Sequence, residues 1–189
     1  MKRKIVAITG GIGSGKSAVA QFLRKMGYQT VDCDALARVI ADDESVVAAV
    51  EQLLGSESVS NGAINRKKVR EMVFADADLL KKYDGIFHER VRQCLEEIVK
   101  QSSATVFVEI PVIDAFEFHF DEIWLVESSQ EARIARVTAR DGVSAENAVN
   151  IMSRQRYDGV YTRTITNNGS IDELNRQVLA ALSASGLAI

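Results

Sequence analysis

The amino-acid sequence predicts an α/β domain built on a five-stranded parallel sheet flanked by helices. Short apolar runs alternate with longer stretches of helical periodicity, which is the pattern of βαβ units. A glycine-rich segment joins the first apolar run to the first helical stretch, as in many nucleotide-binding sheets. The 189 residues are enough to bury a full core without disulfide or metal support, and no linker interrupts them. The sequence therefore predicts one α/β domain.

Each element follows from local periodicity and from its boundary residues. Strands are predicted at residues 4–9, 28–32, 105–110, 122–127 and 162–166. Helices are predicted at residues 14–26, 35–41 and 45–54, over 66–100 in two pieces, over 128–140, after Ser144 and after Ser170. Ser45 and Ser144 are predicted helix caps. Ser128 and Ser170 each precede a glutamate by three residues, which is the spacing of a capping box. Residues 55–62 are polar and predicted as a loop.

Composition excludes several classes of protein. A net charge of −3 argues against a dedicated nucleic-acid binder, because such proteins are usually basic. No apolar run approaches the roughly 20 residues that span a bilayer, and the short apolar run near the N-terminus is too glycine-rich for an export signal. Two cysteines, Cys33 and Cys94, form no disulfide framework. We therefore expect a cytoplasmic protein without membrane or nucleic-acid partners, as a monomer or weak homo-oligomer.

The strongest motif lies between the first predicted strand and helix. Residues 10–17, Gly-Gly-Ile-Gly-Ser-Gly-Lys-Ser, match G-x-x-x-x-G-K-[ST] in full. Glycines let several backbone N–H groups turn toward one phosphate, and the following helix adds its N-terminal donors. Lys16 is expected to reach the β- and γ-phosphates, and the Ser17 hydroxyl to ligate Mg²⁺. The motif predicts a P-loop NTPase fold that binds ATP, with contacts from Gly11, Gly13, Ser14, Gly15, Lys16, Ser17 and Ala18.

The sequence favours a small-molecule kinase over a GTPase. The Asn-Lys-x-Asp tetrapeptide that GTPases use for guanine does not occur. A small-molecule kinase fits the chain length, because its acceptor site can be built from helices inserted between strands. We predict core residues at 1–55, 101–127 and 159–189, an acceptor-binding helical region at 56–100, and a helical lid at 128–158.

Two acidic residues follow the second predicted strand. Asp32 and Asp34 stand where ligands bind in parallel sheets, and a kinase needs a carboxylate to accept the proton of a hydroxyl acceptor. Period-two alternation places both side chains on one side, with Cys33 opposite. The alternative is that they cap a turn or helix; this interpretation is weaker for Asp34 and equally strong for Asp32. Arg38, one helical turn later, faces either Asp34 or a substrate phosphate.

Arginine replaces lysine in the second half of the chain. Lys100 is the last lysine, and six arginines follow between residues 133 and 163. Arginine clamps phosphate oxygens in a bidentate manner and keeps its charge when a site closes. These arginines predict a phosphate-binding lid with Arg140 as its best candidate, against the alternative of a solvated helix face.

Together these motifs resemble the dephospho-CoA kinase family over nearly the whole chain. The resemblance covers the glycine loop, the segment from Asp32 to Arg38, residues 61–66, His88, Pro111, Arg140 and residues 167–169. It implies ATP-dependent phosphorylation of the ribose 3′-hydroxyl of dephospho-CoA. It also implies that Asn167 and Gly169 lie near the adenine of ATP and that His88 lies at the acceptor. Arg38, Arg66 and Arg92 are candidates for the acceptor's pyrophosphate.

The sequence departs from the family pattern on the acceptor side. Glu89 replaces the proline that follows the histidine, and the segment from 155 to 167 is shorter than in the family. The glutamate expected after Pro111 is absent, and Asp114, Glu117 or neither replaces it. Another small-molecule kinase acting on a nucleoside or nucleotide, or a non-catalytic NTP-binding module, therefore stays an alternative.

In the predicted mechanism Asp34 is the base, Lys16 and Mg²⁺ hold the phosphates, and Arg140 stabilises the transferred charge.

Overall fold

The computed structural model describes residues 3–73, 76–111, 113, 117–153, 155 and 159–187. Predicted sites Asp114, Arg154 and Arg156 lie outside these residues. The chain divides into two compact units. The sheet unit comprises Met1–Asp32, Ser102–Ile113 and His119–Ile189, and the helical unit comprises Cys33–Gln101 and Asp114–Phe118. The structure thus groups residues 33–55 with the helical region, whereas the sequence placed them in the core.

The elements are named in chain order. The strands are β1 (Ile5–Thr9), β2 (Gln29–Asp32), β3 (Val59–Ser60), β4 (Ala63–Ile64), β5 (Val106–Glu109), β6 (Glu122–Glu127) and β7 (Arg163–Thr166). The helices are α1 (Lys16–Lys25), α2 (Cys33–Ile40), α3 (Glu44–Leu54), α4 (Arg66–Val73), α5 (Ala77–Gln101), α6 (Gln130–Asp141), α7 (Ala145–Ser153) and α8 (Ile171–Ala184). None of the helices described here has the length and apolarity needed to cross a membrane.

The sheet unit confirms the predicted five-stranded parallel sheet. Its strand order is β2-β5-β1-β6-β7, and every neighbouring pair is parallel. In register, Asp32 at the end of β2 lies opposite Glu109 at the end of β5. The carboxyl ends of these strands therefore present two acidic residues at the edge where parallel sheets bind ligands.

The main core of the sheet unit lies on one face of the sheet, where Val6 and Ile8 of β1 are in register with Phe107 of β5 and Trp124 of β6. Apolar residues of β1, β5 and β6 pack there against apolar residues of α1 and α8. The strands contribute Ile8, Phe107 and Trp124, and the helices contribute Leu23 and Leu182. The Phe107 ring meets Tyr28 and Trp124 edge-on, with centroids 5.1 and 5.2 Å apart. Such edge contacts add to the area buried by each ring. The core thus holds the strand ends that carry the site.

The helical unit is organised around α5, which packs against α2, α3 and α4. The predicted loop at 55–62 is wrong: a 3₁₀ turn at Ser56–Ser58 leads into an antiparallel hairpin of β3 and β4. Asn61 and Gly62, with φ of 53° and 76°, form its turn. An Asn-Gly pair between strands is a known hairpin signal, because both residues tolerate positive φ.

Of the four helix caps predicted from local sequence, two are found in the structure and two are not. The capping box of Ser170 and Glu173 is confirmed, and Ser144 Oγ accepts from the Asn147 N–H at 3.2 Å. The cap predicted at Ser128 is wrong: Ser129 caps α6, while the Ser128 hydroxyl donates to the Asn167 carbonyl at 2.6 Å. The cap predicted at Ser45 is wrong too. Asp43 precedes α3 and accepts from the Ser45 N–H at 2.9 Å.

Candidate active site

The glycine loop, residues 10–17, joins β1 to α1 in the sheet unit. Gly10, Gly13 and Gly15 have φ of 149°, 76° and 105°, which residues with side chains rarely adopt. This backbone leads directly into the N-terminus of α1, where unpaired N–H groups attract anions. A cavity of about 510 Å³ opens here, lined by Gly13, Gly15, Lys16 and Ser17 together with residues of α6. Its size and its donors suit a polyphosphate.

Lys16 and Ser17 are the first two residues of α1 and close the loop. The Lys16 Nζ donates to the carbonyls of Gly10 at 2.7 Å and Gly11 at 3.3 Å, so the ammonium lies across the loop. The Ser17 Oγ donates to Glu109 Oε1 at 2.6 Å.

Glu109 is a candidate site residue that the sequence reasoning missed. It ends β5, opposite Asp32 in register, and it contacts Ser17. Its signal was present, because it is an acidic residue at the end of a buried strand adjacent to β1. Of the two residues considered as replacements for the family's glutamate, Asp114 lies outside the described residues, and Glu117 is exposed in the helical unit.

The donor atoms around Ser17 fit a magnesium ion. Mg²⁺ binds oxygen, and in kinases it commonly takes one or two protein ligands with substrate phosphates completing the shell. The Ser17 hydroxyl and the Glu109 carboxylate are of this kind. Among the described residues, no group of three or more His, Cys, Asp or Glu side chains is arranged to hold a metal by itself. A site of this kind would depend on the nucleotide phosphates.

The structure separates the arginines that the sequence grouped together. Arg133 donates to the Ile12 carbonyl at 2.9 Å, and Arg136 to the Gly13 carbonyl at 3.1 Å. Arg163 instead donates to the Ala184 carbonyl at the end of α8, at 2.7 Å. These three guanidinium groups therefore bind backbone carbonyls, which supplies a different reason for arginine than the predicted contact with phosphate.

Arg140 lines the glycine-loop cavity, and it is largely exposed. Its Nε and Nη2 each lie 2.7 Å from an oxygen of Asp141. The hydrogen bonds from Arg140 lower the pKa of Asp141. Arg140 is thus placed near the phosphate cradle with its charge turned toward its neighbour in sequence.

Asn167 and Gly169 contact the loop and a helix cap. The Asn167 Nδ2 donates to the Ser14 carbonyl at 2.8 Å, and a Cβ on Gly15 would lie 2.1 Å from that nitrogen. A Cβ on Gly169 would lie 1.6 Å from Glu173 Oε2, so a side chain there would displace the carboxylate of the capping box. Asn167 thus binds the loop backbone, and the place of both residues near adenine stays a prediction.

The expected alternation at Asp32 and Asp34 is wrong. Strand β2 ends at Asp32 and α2 begins at Cys33, so the two aspartates belong to different elements and helical geometry replaces the period of two. The Cys33 side chain is buried, and Asp34 is exposed in the first turn of α2. Asp32 belongs to the sheet unit and Asp34 to the helical unit.

The helical unit contains a second cavity, of about 410 Å³. Its wall is apolar in large part, with Ala37, Val69 and Phe87, and its charged lining includes Arg38, Arg66 and Arg70. The structure therefore brings the predicted Arg38 and Arg66 together. It also adds Arg70, whose signal was its spacing of four residues from Arg66 on one helix.

Helix α5 of the same unit carries Tyr83, Asp84, His88 and Arg92. Burial raises the pKa of Tyr83, which lines the cavity beside Asp84. Arg92 forms ion pairs with Glu89, at 2.7 Å, and with Glu96. The hydrogen bond from Arg92 lowers the pKa of Glu89. Neither Arg92 nor the half-buried His88 is among the described residues that line the cavity.

Comparison with known proteins decides the family. The family model described as CoaE, dephospho-CoA kinase, matches residues 4–173. The chain belongs to the dephospho-CoA kinase family. A dephospho-CoA kinase from Thermus thermophilus is 35% identical, and the match covers 95% of this chain and 90% of that protein. Membership of this family confirms the predicted resemblance, an enzyme of the phosphotransferase class, and the use of ATP.

Solved structures agree on the fold. A crystal structure from Thermus thermophilus shares 34% identity and a TM-score of 0.82, covering 97% of this chain and 98% of that one. A shikimate kinase from Acinetobacter baumannii, at 17% identity and a TM-score of 0.56, covers 99% of this chain and 97% of that one and shows the shared fold alone. The predicted P-loop kinase fold of the family is confirmed.

Proposed function

We propose that this protein transfers the γ-phosphoryl group of ATP to the ribose 3′-hydroxyl of dephospho-CoA, which gives coenzyme A. The observation that carries the proposal is the cavity of the helical unit, where three arginines meet an apolar wall. Dephospho-CoA has a pyrophosphate, which can bind the arginines, and a long, weakly polar arm, which can pack against the apolar wall. The activity also accords with membership of the family.

On the nucleotide side, the loop residues bind and orient the phosphates. The backbone N–H groups of Gly13, Ser14, Gly15 and Ala18 are the proposed donors, with Gly11 allowing close approach of the chain. The Ser14 and Ala18 groups would share their protons between phosphate and the Gly11 and Gly15 carbonyls that they bond in the structure. Lys16 neutralises the β- and γ-phosphates as its ammonium leaves the loop carbonyls. Ser17 and Glu109 are the proposed holders of Mg²⁺, which when bound neutralises charge on the transferred group.

Asp34 is the proposed base that orients the acceptor hydroxyl and takes its proton. Its exposed position in the first turn of α2 leaves the carboxylate accessible to a ligand. Asp32 is the proposed second acidic residue, since it ends β2 opposite Glu109. Arg140 is proposed to exchange Asp141 for the transferring phosphoryl group, whose charge its guanidinium would stabilise.

On the acceptor side, Arg38 and Arg66 are proposed to bind the pyrophosphate, together with Arg70. We keep His88 and Arg92 as proposed acceptor contacts from the family resemblance, and Asn167 and Gly169 as residues near adenine. We further propose that the enzyme is cytoplasmic, since ATP is available in the cytoplasm, and that it acts as a monomer or weak homo-oligomer.

The test is ADP release by purified protein, measured with a coupled assay across a panel of acceptors. Dephospho-CoA is expected to stimulate release far more than adenosine, AMP, CMP or shikimate, and the product is expected to carry the new phosphate at the 3′ position by NMR. Equal stimulation by another member of the panel would overturn the acceptor and retain the kinase. ATP binding without stimulation by any acceptor would favour a binding module.

A further inference from the structure

Both backbone polar groups of Ile12, in the middle of the glycine loop, are held by side chains from distant parts of the chain. The Ile12 N–H donates to Gln155 Oε1 at 2.9 Å, and Arg133 Nε donates to the Ile12 carbonyl at 2.9 Å. Arg133 Nη2 also donates to the same Gln155 oxygen at 3.2 Å. These three hydrogen bonds form a closed network, which we call the Ile12 clasp, of Ile12, Arg133 and Gln155.

The clasp also explains a glycine that the loop backbone does not require. Gly11 has no positive φ, unlike Gly10, Gly13 and Gly15. A Cβ on Gly11 would lie 2.2 Å from Arg133 Nη2 and 2.5 Å from the guanidinium carbon. A side chain at Gly11 would therefore displace the Arg133 guanidinium from the clasp.

Arg133 is itself held in place. Its N–H bonds to the Ser129 carbonyl at 3.0 Å in the first turn of α6, and its own carbonyl lies 2.8 Å from where a Cβ of Gly13 would be. One turn later, Arg136 binds the Gly13 carbonyl. Two side chains of α6 thus bind the carbonyl oxygens of two successive loop residues, Ile12 and Gly13.

We propose that Arg133 and Gln155 are positioning residues, which act through Ile12 to orient the loop for ATP. Fixing the Ile12 peptide limits rotation of the neighbouring peptides, whose N–H groups must converge on a phosphate. Neither residue needs to touch the nucleotide for this. The inference rests on the proposed kinase function and assigns to Arg133 a role other than binding phosphate.

The first test compares Gln155→Met, which keeps the side-chain length and removes the acceptor oxygen, with Gln155→Glu, which keeps it. Binding of a non-hydrolysable ATP analogue, measured by calorimetry without acceptor, is expected to weaken about tenfold in Gln155→Met and within about threefold of wild type in Gln155→Glu. The KM for ATP should rise in parallel, with the KM for dephospho-CoA unchanged. Gln52→Met, on the exposed side of α3, is the matched control and should bind the analogue normally.

The second test is a double-variant cycle between Gly11 and Arg133. Gly11→Ala is expected to weaken analogue binding about tenfold alone, and to cause little further loss when Arg133→Ala is already present. Independent losses that multiply would overturn the clasp, as would normal binding by Gln155→Met. Because analogue binding needs no acceptor, failure of dephospho-CoA to stimulate wild-type turnover would reject the proposed substrate and leave this test of the clasp intact.

Discussion

The nucleotide side and the acceptor side of this protein differ in how far their charged groups are already engaged. In the glycine loop, Lys16 bonds to the loop's own carbonyls, and Arg133 and Arg136 bond to its backbone. In the helical unit, Arg38 and Arg70 line a cavity and, within the described chain, form no ion pair.

The difference has a physical consequence. Arg133 and Arg136 already hold the loop backbone, so its N–H groups need little reorganisation to meet the phosphates, and only the Lys16 ammonium must leave the loop carbonyls. Neighbouring guanidinium groups repel each other until an anion lies between them, so the acceptor cavity is expected to gain order on binding. Variants on the two sides should therefore change different kinetic constants.

The largest effect is expected from Lys16→Ala on the nucleotide side. Removing the mobile cation of the loop should lower turnover by about 10³-fold or more and weaken ATP binding, because charge on the transferring group loses its partner. Steady-state kinetics and calorimetry measure both. The fold should persist by circular dichroism, since Lys16 lies outside the hydrophobic core of the sheet unit. Activity close to wild type would reject the nucleotide site.

Asp34→Asn tests the proposed base and should lower kcat by about 10²–10⁴-fold, because the amide keeps the shape and loses the proton acceptor. The KM for ATP should stay the same. Asp32→Asn is the matched comparison at the preceding strand end. A normal rate with a lower melting temperature in Asp34→Asn would make Asp34 a structural residue, and a larger loss in Asp32→Asn would transfer the role to Asp32.

Arg66→Met and Arg70→Met test the acceptor side. Each should raise the KM for dephospho-CoA about tenfold, because a hydrogen bond to a charged group is lost, and should leave the KM for ATP unchanged. The effect should shrink at high salt. Arg24→Met, an exposed arginine on α1, is the control. A rise in the KM for ATP of the same size would remove the contrast between the two sides.

The smallest effect concerns acid stability of the helical unit. Hydrogen bonds from Ser45 and Arg90 lower the pKa of Asp43 from 3.8 to about 2. A depressed pKa stabilises the folded state above the unfolded value, so this contribution is complete above about pH 4 and is lost as pH falls toward 2. Thermal unfolding followed by circular dichroism should show a shallower pH dependence over this window in Asp43→Asn. An unchanged slope would mean that the hydrogen bonds of Asp43 with Ser45 and Arg90 do not hold its pKa down in the folded state.

Local sequence signals differed in how well they predicted the structure. The capping box at Ser170 is confirmed because all its groups lie within one helical turn. The same spacing at Ser128 predicted a cap wrongly, because the Asn167 carbonyl, far along the chain, takes its hydroxyl instead. The hairpin at Asn61-Gly62 was missed although its signal was local, since the surrounding residues are polar and the strands are two residues each.

The sequence by itself determined the parallel sheet and the phosphate-binding loop, because strand and helix periodicity and glycine conformation are properties of short segments. Only the tertiary structure decided the partners of the long charged side chains. Ser17 meets Glu109 across 92 positions and Arg133 meets Ile12 across 121. A flexible side chain can reach many groups at similar cost, so its partner depends on which strand and helix the packed core brings beside it.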